Sequence, residues 1–198
     1  MSCEFELFHS SQSRSSRVLW LLLELDIAFK LTRVSISRPD GTGFSDPLNP
    51  HPDGKVPALR HNDTVITESG AIMLYLTDLH LSHGLGVGVS SPVRGEFLSW
   101  IFWYGNVMEP VYLFEYCGLS EDQFLYSNFR SVNEVVQRLS YTLKTQPYLL
   151  GNQFTCADLL ISYPFLMFDD SIPSCPEIKS WLDRCASRPA FIESLEKD

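Results

Sequence analysis

The spacing of apolar residues changes once along this chain, and that change constrains its fold more than any other feature. Residues 4–8 and 29–34 alternate polar and apolar side chains, as strands do, and residues 17–25 between them are apolar on nearly every side of a helix. A strand, a helix and a strand within about thirty residues predict a βαβ unit with a parallel pair of strands. From Pro92 onward the apolar spacing is helical only.

The rest of the first half predicts two more strands and a helix. Residues 58–61 and 64–66 are predicted to be antiparallel strands joined by a turn at Asn62 and Asp63, and residues 69–79 a helix. The order βαβ followed by ββα is the thioredoxin-like arrangement. The sequence therefore predicts an α/β, thioredoxin-like domain over residues 1–81.

The second half is predicted to be all-α. Residues 82–91 contain three glycines and are interpreted as a linker, so residues 92–198 form the predicted helical domain. One face of its first long helix carries Val93, Phe97, Trp100, Tyr104 and Met108. Residues 124–143 repeat the helical spacing, and Thr155 with Asp158 has the spacing of a capping box.

The charge and hydropathy of the chain exclude several kinds of partner. The net charge is −9 and the isoelectric point is about 5.0, whereas a protein that binds nucleic acid needs a basic surface. We therefore expect neither nucleic acid nor an anionic membrane as a partner. The longest dense apolar run, residues 18–23, is too short to cross a bilayer.

The cysteines do not form a recognisable framework. Their number is odd and no two have the C-x-x-C spacing, so neither a disulfide scaffold nor a zinc site is expected. They are Cys3, Cys117, Cys156, Cys175 and Cys185. With no basic segment of a secretory signal near the first residue, we expect a cytoplasmic location with free thiols and no bound metal.

Several segments together resemble the cytosolic glutathione transferase family along the whole length of the chain. They are residues 10–25, 49–59, 67–72, 154–164 and 188–191. The first combines a serine-rich turn, called here the serine turn (residues 10–15), with the start of the apolar helix. This turn and the Ser-Tyr-Pro sequence at residues 162–164 are most similar to a bacterial and fungal branch of the family.

The resemblance implies a glutathione S-transferase. The first domain would bind glutathione as a co-substrate, and the helical domain would supply the site of a small apolar electrophile. The implied chemistry is attack of the glutathione thiolate on that electrophile, with peroxide reduction as a side activity. The family also implies a homodimer and no metal.

The resemblance places the middle of glutathione against Val56 and Pro57. The residues alone favour an ordinary trans proline at the start of a strand. The family's proline is cis, which would turn the N–H and C=O groups of Val56 towards the tripeptide backbone. Lys55 is either a partner of the glycine carboxylate or a solvated lysine, and His51 is either an assisting residue or an exposed loop residue.

Glu68 and Ser69 lie at a predicted helix start, where backbone amides and a hydroxyl favour a bound carboxylate. In the family context Glu68 is expected to bind the γ-glutamyl ammonium group, and Ser69 the neighbouring carboxylate. Without the resemblance, the pair would be an ordinary N-cap with an acidic residue suited to the helix dipole.

The partner of the thiol is expected in the serine turn. Ser13 lies four residues before Arg17, a spacing similar to that of serine-type family members, and Ser11 and Ser10 are the alternatives. A hydrogen bond to a thiolate is worth roughly 1.5–3 kcal/mol, or about one to two pKa units. Arg14 is a candidate for additional positive charge, and each serine could instead be an N-cap.

The electrophile is expected between the serine turn and the first long helix of the second domain. The candidate residues are Trp103, Tyr104, Val107, Met108 and Tyr112. Aromatic residues at this spacing are also typical of a helical core, so only some of them are expected to contact a ligand.

Two other functions are open from the sequence. A binding or regulatory protein could keep the glutathione transferase fold without turnover, although it would not need the complete set of glutathione-site residues. A cysteine-type thiol transferase would need a cysteine in the turn, where none occurs, and Cys3 lies too early, at the start of the first strand.

Overall fold

A computed structural model describes residues 4–168 and 172–198 of the protein. The chain divides into two compact units, one comprising the residues up to His83 together with Ser187–Asp198, and the other Gly84–Ala186. Within the described ranges, no helix is both long enough and apolar enough to cross a membrane. Cys3 lies outside the described residues.

The first unit contains one mixed sheet. Its strands are β1 (Phe5–His9), β2 (Phe29–Arg33), β3 (Ala58–His61) and β4 (Thr64–Thr67), in the order β2-β1-β3-β4. β1 is parallel to β2 and antiparallel to β3, which is antiparallel to β4.

The described helices fill both units. They are α1 (Ser16–Glu24), α2 (Ser69–Leu79), α3 (Arg94–Trp103), α4 (Glu109–Tyr116), α5 (Gln123–Phe129), α6 (Val132–Leu143), α7 (Cys156–Met167), α8 (Pro176–Ala186) and α9 (Pro189–Lys197). Since α1 connects β1 to β2 and α2 follows β4, the predicted thioredoxin-like order is confirmed. The second unit is helical, as predicted.

α1 is the core helix of the first unit. The five consecutive residues from Val18 to Leu22 are fully buried, as expected for a helix that is apolar on nearly every side. Part of the cover comes from α9, where the ring of Phe191 packs against Trp20 with centroids 4.8 Å apart.

The last twelve residues differ from the predicted domain boundary. The sequence assigned residues 187–198 to the helical domain, but they belong to the first unit. Arg188 donates hydrogen bonds to both carboxylate oxygens of Glu24 on α1, at 2.6 and 2.7 Å, and the indole N–H of Trp20 donates to the same carboxylate at 2.9 Å. Helical spacing predicts a helix but not the element it packs against.

The long helix predicted after Pro92 is present, but its middle is a π-helical turn. α3 continues through Tyr104–Met108 into α4. Pro110 has no N–H and its ring crowds the carbonyl of Asn106 four residues earlier, so regular α-helical bonding is interrupted in the turn before it. The predicted core face is buried from Phe97 to Met108, whereas Val93 is 43% exposed.

The helix predicted over residues 124–143 is instead two helices, α5 and α6. Arg130 between them has φ +78°, a left-handed conformation that non-glycine residues seldom adopt. Ser131 then caps α6 in a reciprocal capping box with Glu134. This break arises from local hydrogen bonds, which apolar spacing does not reveal.

Asp158 closes the predicted capping box at the start of α7 and is fully buried. Its Oδ2 accepts hydrogen bonds from the N–H and the hydroxyl of Thr155, at 3.0 and 3.1 Å. Its Oδ1 accepts from the Leu149 N–H at 2.8 Å and from the Trp181 indole N–H at 3.0 Å. Burial raises the pKa of Asp158, and these four hydrogen bonds oppose that rise.

Replacing Asp158 with alanine is expected to destabilise the protein strongly. The N–H groups of Leu149, Thr155 and Trp181 would be left buried without their acceptor, at about 1–3 kcal/mol for each group. We expect the free energy of unfolding to fall by more than about 3 kcal/mol, measured by urea denaturation followed by circular dichroism.

The matched control is Asp122→Ala. Asp122 caps α5 with one hydrogen bond from the Leu125 N–H at 2.9 Å, at an exposed position, so water can replace the lost acceptor. This variant is expected to lose about 1 kcal/mol. Equal losses in the two variants would contradict the role of Asp158 as an acceptor shared by α7, α8 and the loop before them.

Candidate functional site

One edge of the sheet brings together the carboxyl end of β1, the amino end of β3 and the carboxyl end of β4. The β1–β3 ladder ends at Phe8 opposite Ala58, and Ala58 also lies opposite Thr67 on β4. The serine turn after β1, the residues just before β3 and the residues just after β4 therefore lie at the same edge.

The Val56–Pro57 peptide before β3 is cis, which confirms the geometry implied by the resemblance. The side chain of Val56 is buried in a cluster with Phe8, Val34 and Ala58. Because the ladder with β1 starts only at Ala58, the backbone of Val56 lies outside it. An extended peptide can pair with backbone groups in such a position.

Glu68 adopts an uncommon backbone conformation at the start of α2. Its φ is +68° and its ψ is 122°, a combination that costs a residue with a side chain about 1–3 kcal/mol. α2 begins at the next residue, Ser69, so an acidic side chain, a hydroxyl and the unpaired first amides of a helix occur together. Strained residues of this kind concentrate at ligand sites.

Ser13 is at the centre of a hydroxyl network in the serine turn. Its hydroxyl donates to the Ser10 carbonyl oxygen at 2.6 Å. Its Oγ lies 2.8 Å from the Ser15 Oγ and accepts a bond from the Ser15 N–H at 3.2 Å. The N–H of Ser16, the first residue of α1, donates to the Ser13 carbonyl at 3.1 Å. The half-buried Ser13 is thus held at the start of α1.

The other two candidate serines contact arginines. The Ser11 hydroxyl donates to the carbonyl oxygen of Asp198 at 2.9 Å and accepts from Arg33 Nη1 at 3.1 Å, so its hydrogen is committed. The Ser10 hydroxyl accepts from Arg38 Nη2 at 3.1 Å, which leaves its hydrogen for another acceptor.

The loop before Val56 is held by His51. The expectation of an exposed loop histidine is wrong, because His51 is buried and its Nδ1 accepts a bond from the Asp53 N–H at 3.1 Å. Lys55 is exposed, while its carbonyl oxygen accepts from Asn49 Nδ2 at 2.9 Å. Arg14 is also exposed, in the serine turn.

Sequence reasoning missed three residues next to these serines, and it considered Ser15 only as a member of the turn. The three are His9, Arg38 and Asp198. His9 and Ser15 are fully buried, with the Nδ1 of His9 only 2.8 Å from the Ser15 Oγ. The inward position of His9 could have been found, since Phe5, Leu7 and His9 alternate onto one face of β1. Nothing local indicates the approach of Asp198.

Three of the five candidate electrophile residues are buried in the helical unit. The buried residues are Trp103, Tyr104 and Met108, and the half-buried ones are Val107 and Tyr112. The guanidinium of Arg138 lies 4.7 Å from the ring centroid of Trp103. The Tyr104 hydroxyl donates to Glu109 at 2.8 Å. These contacts are typical of core residues.

Tyr112 differs from the other four candidates. Its ring packs edge-on against Phe165, with centroids 5.6 Å apart, and its buried hydroxyl oxygen has no hydrogen-bond partner among the described residues. Burial, with a smaller effect of Glu115, raises the pKa of Tyr112. A buried hydroxyl without a partner costs about 1–3 kcal/mol, so a polar ligand atom would be favourable there.

The cysteines of the described residues all lie in the helical unit. Cys156 and Cys185 are buried, Cys175 is partly buried and Cys117 is exposed. Within the same described ranges, no group of three or more metal-binding side chains could hold an ion.

The chain is similar to known proteins in both units. Residues 13–79 match the glutathione S-transferase N-terminal domain, and residues 120–189 match the glutathione S-transferase C-terminal domain. Glutathione S-transferase APIC of Nicotiana tabacum is 26% identical over 197 residues, which cover 91% of this chain and 92% of that protein. The disulfide-bond oxidoreductase YfcG of Escherichia coli is 23% identical, over 97% and 94% of the two chains.

A solved structure leads to the same conclusion. A sphingomonad glutathione S-transferase complexed with glutathione has a TM-score of 0.79 to this protein, at 25% identity, over 97% of this chain and 98% of that one. The two domain matches, in the order and at the positions of the two structural units, show that the chain belongs to the glutathione S-transferase family.

Proposed function

We propose that this family member is a glutathione transferase that binds glutathione at the sheet edge and activates its thiol for attack on an apolar electrophile. The observation that carries the proposal is the strained Glu68 at the start of α2, beside the cis Val56–Pro57 peptide. Relatives that are named glutathione S-transferases, and a structural neighbour complexed with glutathione, support it.

The γ-glutamyl end of glutathione carries an ammonium and a carboxylate group. We assign the ammonium to the side chain of Glu68, and the carboxylate to the Ser69 hydroxyl and the first amides of α2, since a helix N-terminus favours an anion. A ligand that takes both groups explains why the chain tolerates φ +68° at a glutamate.

The middle and the glycine end of glutathione are assigned to the loop before β3. The backbone of Val56 would pair with the tripeptide, with Pro57 keeping that backbone at the edge. Lys55 is exposed and would bind the glycine carboxylate. His51 would act indirectly, by holding the loop through its bond to Asp53.

The thiolate is assigned to Ser13. Its hydroxyl lies at the start of α1, where the helix N-terminus favours negative charge, and Arg14 is the adjacent basic residue. The hydroxyls of Ser11 and Ser13 both donate to carbonyl oxygens in the structure, those of Asp198 and Ser10 respectively, so the choice of Ser13 over Ser11 rests on its spacing from Arg17 and its place at the start of α1. Ser10, beside Arg38, is the alternative.

The helical unit would supply the contacts to the electrophile. Val107 and Tyr112 are only half-buried, so they are the candidates with surface left for a ligand, whereas Trp103, Tyr104 and Met108 would act mainly through packing. Peroxide reduction is expected as a side activity of the same thiolate. The family resemblance also leads us to expect a homodimer in the cytoplasm.

Replacing Ser13 with alanine is expected to raise the thiol pKa of bound glutathione. A hydrogen bond to a charged group is worth roughly 1.5–3 kcal/mol, so the pKa should rise by about one to two units. The measurement is the ultraviolet absorbance of the thiolate at saturating glutathione, across a pH series, for the natural protein and the variant.

The controls are Ser11→Ala and Ser10→Ala, which remove the same atom at neighbouring positions. Both should leave the pKa of bound glutathione nearly unchanged. A shift in Ser10→Ala alone would keep the enzyme but move the role to Ser10. The absence of any thiolate signal in the natural protein would contradict the proposed function and favour a non-catalytic binding protein.

Replacing Glu68 with glutamine is expected to weaken glutathione binding at least about tenfold, or about 1.4 kcal/mol, because the ammonium loses its charged partner. Ser69→Ala should also weaken glutathione binding. Titration calorimetry measures both. Glu121→Gln, at an exposed position of the helical unit, is the matched control, and affinity for glutathione should not change in it.

The cysteines are expected to be dispensable for turnover. Cys3, Cys117 and Cys175 can be replaced by serine, and the buried Cys156 and Cys185 by alanine, which avoids burying a hydroxyl. Turnover of an aryl halide should persist in every folded variant, because bound glutathione itself is the nucleophile. Loss of activity in one of them would favour a cysteine-type thiol transferase.

A further inference from the structure

A line of four polar side chains runs from the sheet edge into the first unit. The Oγ atoms of Ser13 and Ser15 are 2.8 Å apart, and Ser15 Oγ lies 2.8 Å from the Nδ1 of His9. On the other side of the ring, the Nε2 of His9 lies 3.5 Å from the Oδ1 of Asp198. The line thus joins the hydroxyl of the half-buried Ser13 to a buried imidazole and then to a carboxylate.

Asp198 is held in position independently of His9. The Gln12 N–H donates to its Oδ2 at 2.8 Å, and Arg33 Nη1 donates to its carbonyl oxygen at 2.7 Å. In the part of the chain that the structure describes, Asp198 Oδ1 and His9 Nε2 are both buried and neither has a hydrogen-bond partner. Two buried polar atoms facing each other without a bond call for an explanation.

The Asp198 carboxylate determines which way the hydrogen bonds along the line point. A lone pair on Nε2 would be repelled by Asp198, so Nε2 carries the hydrogen and Nδ1 is the acceptor. Ser15 has one hydroxyl hydrogen and must donate it to Nδ1. In the structure the Ser13 hydroxyl donates to the Ser10 carbonyl oxygen at 2.6 Å, so it donates to Ser15 only after its hydrogen rotates onto the Ser15 Oγ, 2.8 Å away. In that arrangement every hydrogen in the line points away from the edge.

The charged groups that face His9 are Asp198, at the end of α9, and Arg33 on β2. The pKa of His9 is lowered overall, because burial has the largest effect and Arg33 adds to it, while Asp198 opposes both. His9 is therefore neutral at rest and able to accept a proton. A glutathione thiolate beside Ser13 would add its negative charge to that of Asp198, and both charges would favour the imidazolium form of His9.

We propose that His9 receives the thiol proton of bound glutathione through Ser13 and Ser15, an inference that rests on the thiolate site proposed above. The thiol S–H bond breaks as the proton joins Ser13 Oγ. The original Ser13 hydrogen passes to Ser15 Oγ, and the original Ser15 hydrogen passes to His9 Nδ1. No electrons are exchanged, and the sum of charges is unchanged.

After this proton transfer, each group of the line is arranged so that it stabilises the thiolate. Ser13 keeps one hydrogen, now directed at the sulfur, and the imidazolium is paired with Asp198. The two buried atoms that had no partner form a charged pair. When the product leaves, the proton returns along the same line to water at the edge. His9 and Ser15 are thus positioning residues that act through Ser13.

The proposal is tested by counting protons and thiolates in the same titration. Glutathione is added to the protein at pH ~7 in weak buffer with an indicator dye, while ultraviolet absorbance counts the thiolates. In the natural protein, clearly less than about one proton should be released to solvent for each thiolate formed. A ratio of about one would overturn the proposal.

His9→Asn provides the first variant. The amide of asparagine can replace Nδ1 as a hydrogen-bond partner of Ser15, but it cannot take up a proton. The ratio should rise to about one proton per thiolate, and the thiol pKa of bound glutathione should rise. His83→Asn, at an exposed position of the same unit, should leave both quantities unchanged.

Ser15 provides the second pair of variants and covers the case in which His9→Asn fails to fold. Ser15→Ala breaks the line and should resemble His9→Asn, whereas Ser15→Thr keeps a hydroxyl and should restore the natural ratio. Binding of S-methylglutathione, which has no thiol, should be unaffected in all folded variants. If a variant weakens binding of S-methylglutathione as much as it weakens binding of glutathione, the replaced residue has only a structural role.

Different results would contradict the proposed transferase function and the proposed role of His9. If the natural protein forms no thiolate, the proposed transferase function is contradicted and the proton line has no reaction to serve. If it forms thiolate, and the ratio is about one in the natural protein and in His9→Asn alike, then the transferase stands and the role of His9 is refuted.

Discussion

The hydrogen-bonded position of β1 between two neighbouring strands fixes the whole candidate site. The parallel ladder sets His9 opposite Arg33, and the antiparallel ladder sets Phe8 opposite Ala58. Since side chains alternate along a strand, a slip of one residue in either ladder would turn His9 out of the core and move the serine turn away from the residues before β3. The precision of the site is therefore a property of the sheet register.

The second constraint is the packing of α9 on α1. The Trp20–Phe191 contact and the double hydrogen bond from Arg188 to Glu24 fix the helix that ends beside the serine turn. This is why Asp198 can meet residues from the start of the chain. Apolar burial and the Arg188–Glu24 pair thus bring the Asp198 carboxylate to the serine turn, which contains no carboxylate of its own.

The sequence predicted those parts of the fold that depend on local spacing. All four strands and the helices α1 and α2 follow from alternation and helical period, and the capping box of Asp158 follows from its spacing to Thr155. The break between α5 and α6 was missed because it depends on Ser131 bonding to Glu134, not on apolar spacing. The π-helical turn was missed because spacing does not show the crowding that Pro110 creates.

The candidate site was predictable to a smaller extent. Glu68 and Ser13 could be named from family resemblance, but the left-handed φ of Glu68 and the network around Ser13 are properties of tertiary structure. The cis geometry at Pro57 came from the resemblance, since the residues alone favoured trans. Asp198 could not be linked to His9 from sequence, because that contact depends on how α9 docks.

The buried Asp158 and the partly exposed Asp198 show how differently this chain treats the same side chain. Asp158 has all its bonds satisfied by Leu149, Thr155 and Trp181, as expected where stability alone is required. Asp198 instead leaves Oδ1 unbonded beside His9, and each such atom costs about 1–3 kcal/mol of stability. A fold that can satisfy one buried carboxylate completely has no structural need to leave the other incomplete. One more proton on the imidazole would make this incomplete pair a charged pair, and that is the state that the proposed thiolate formation beside Ser13 would create.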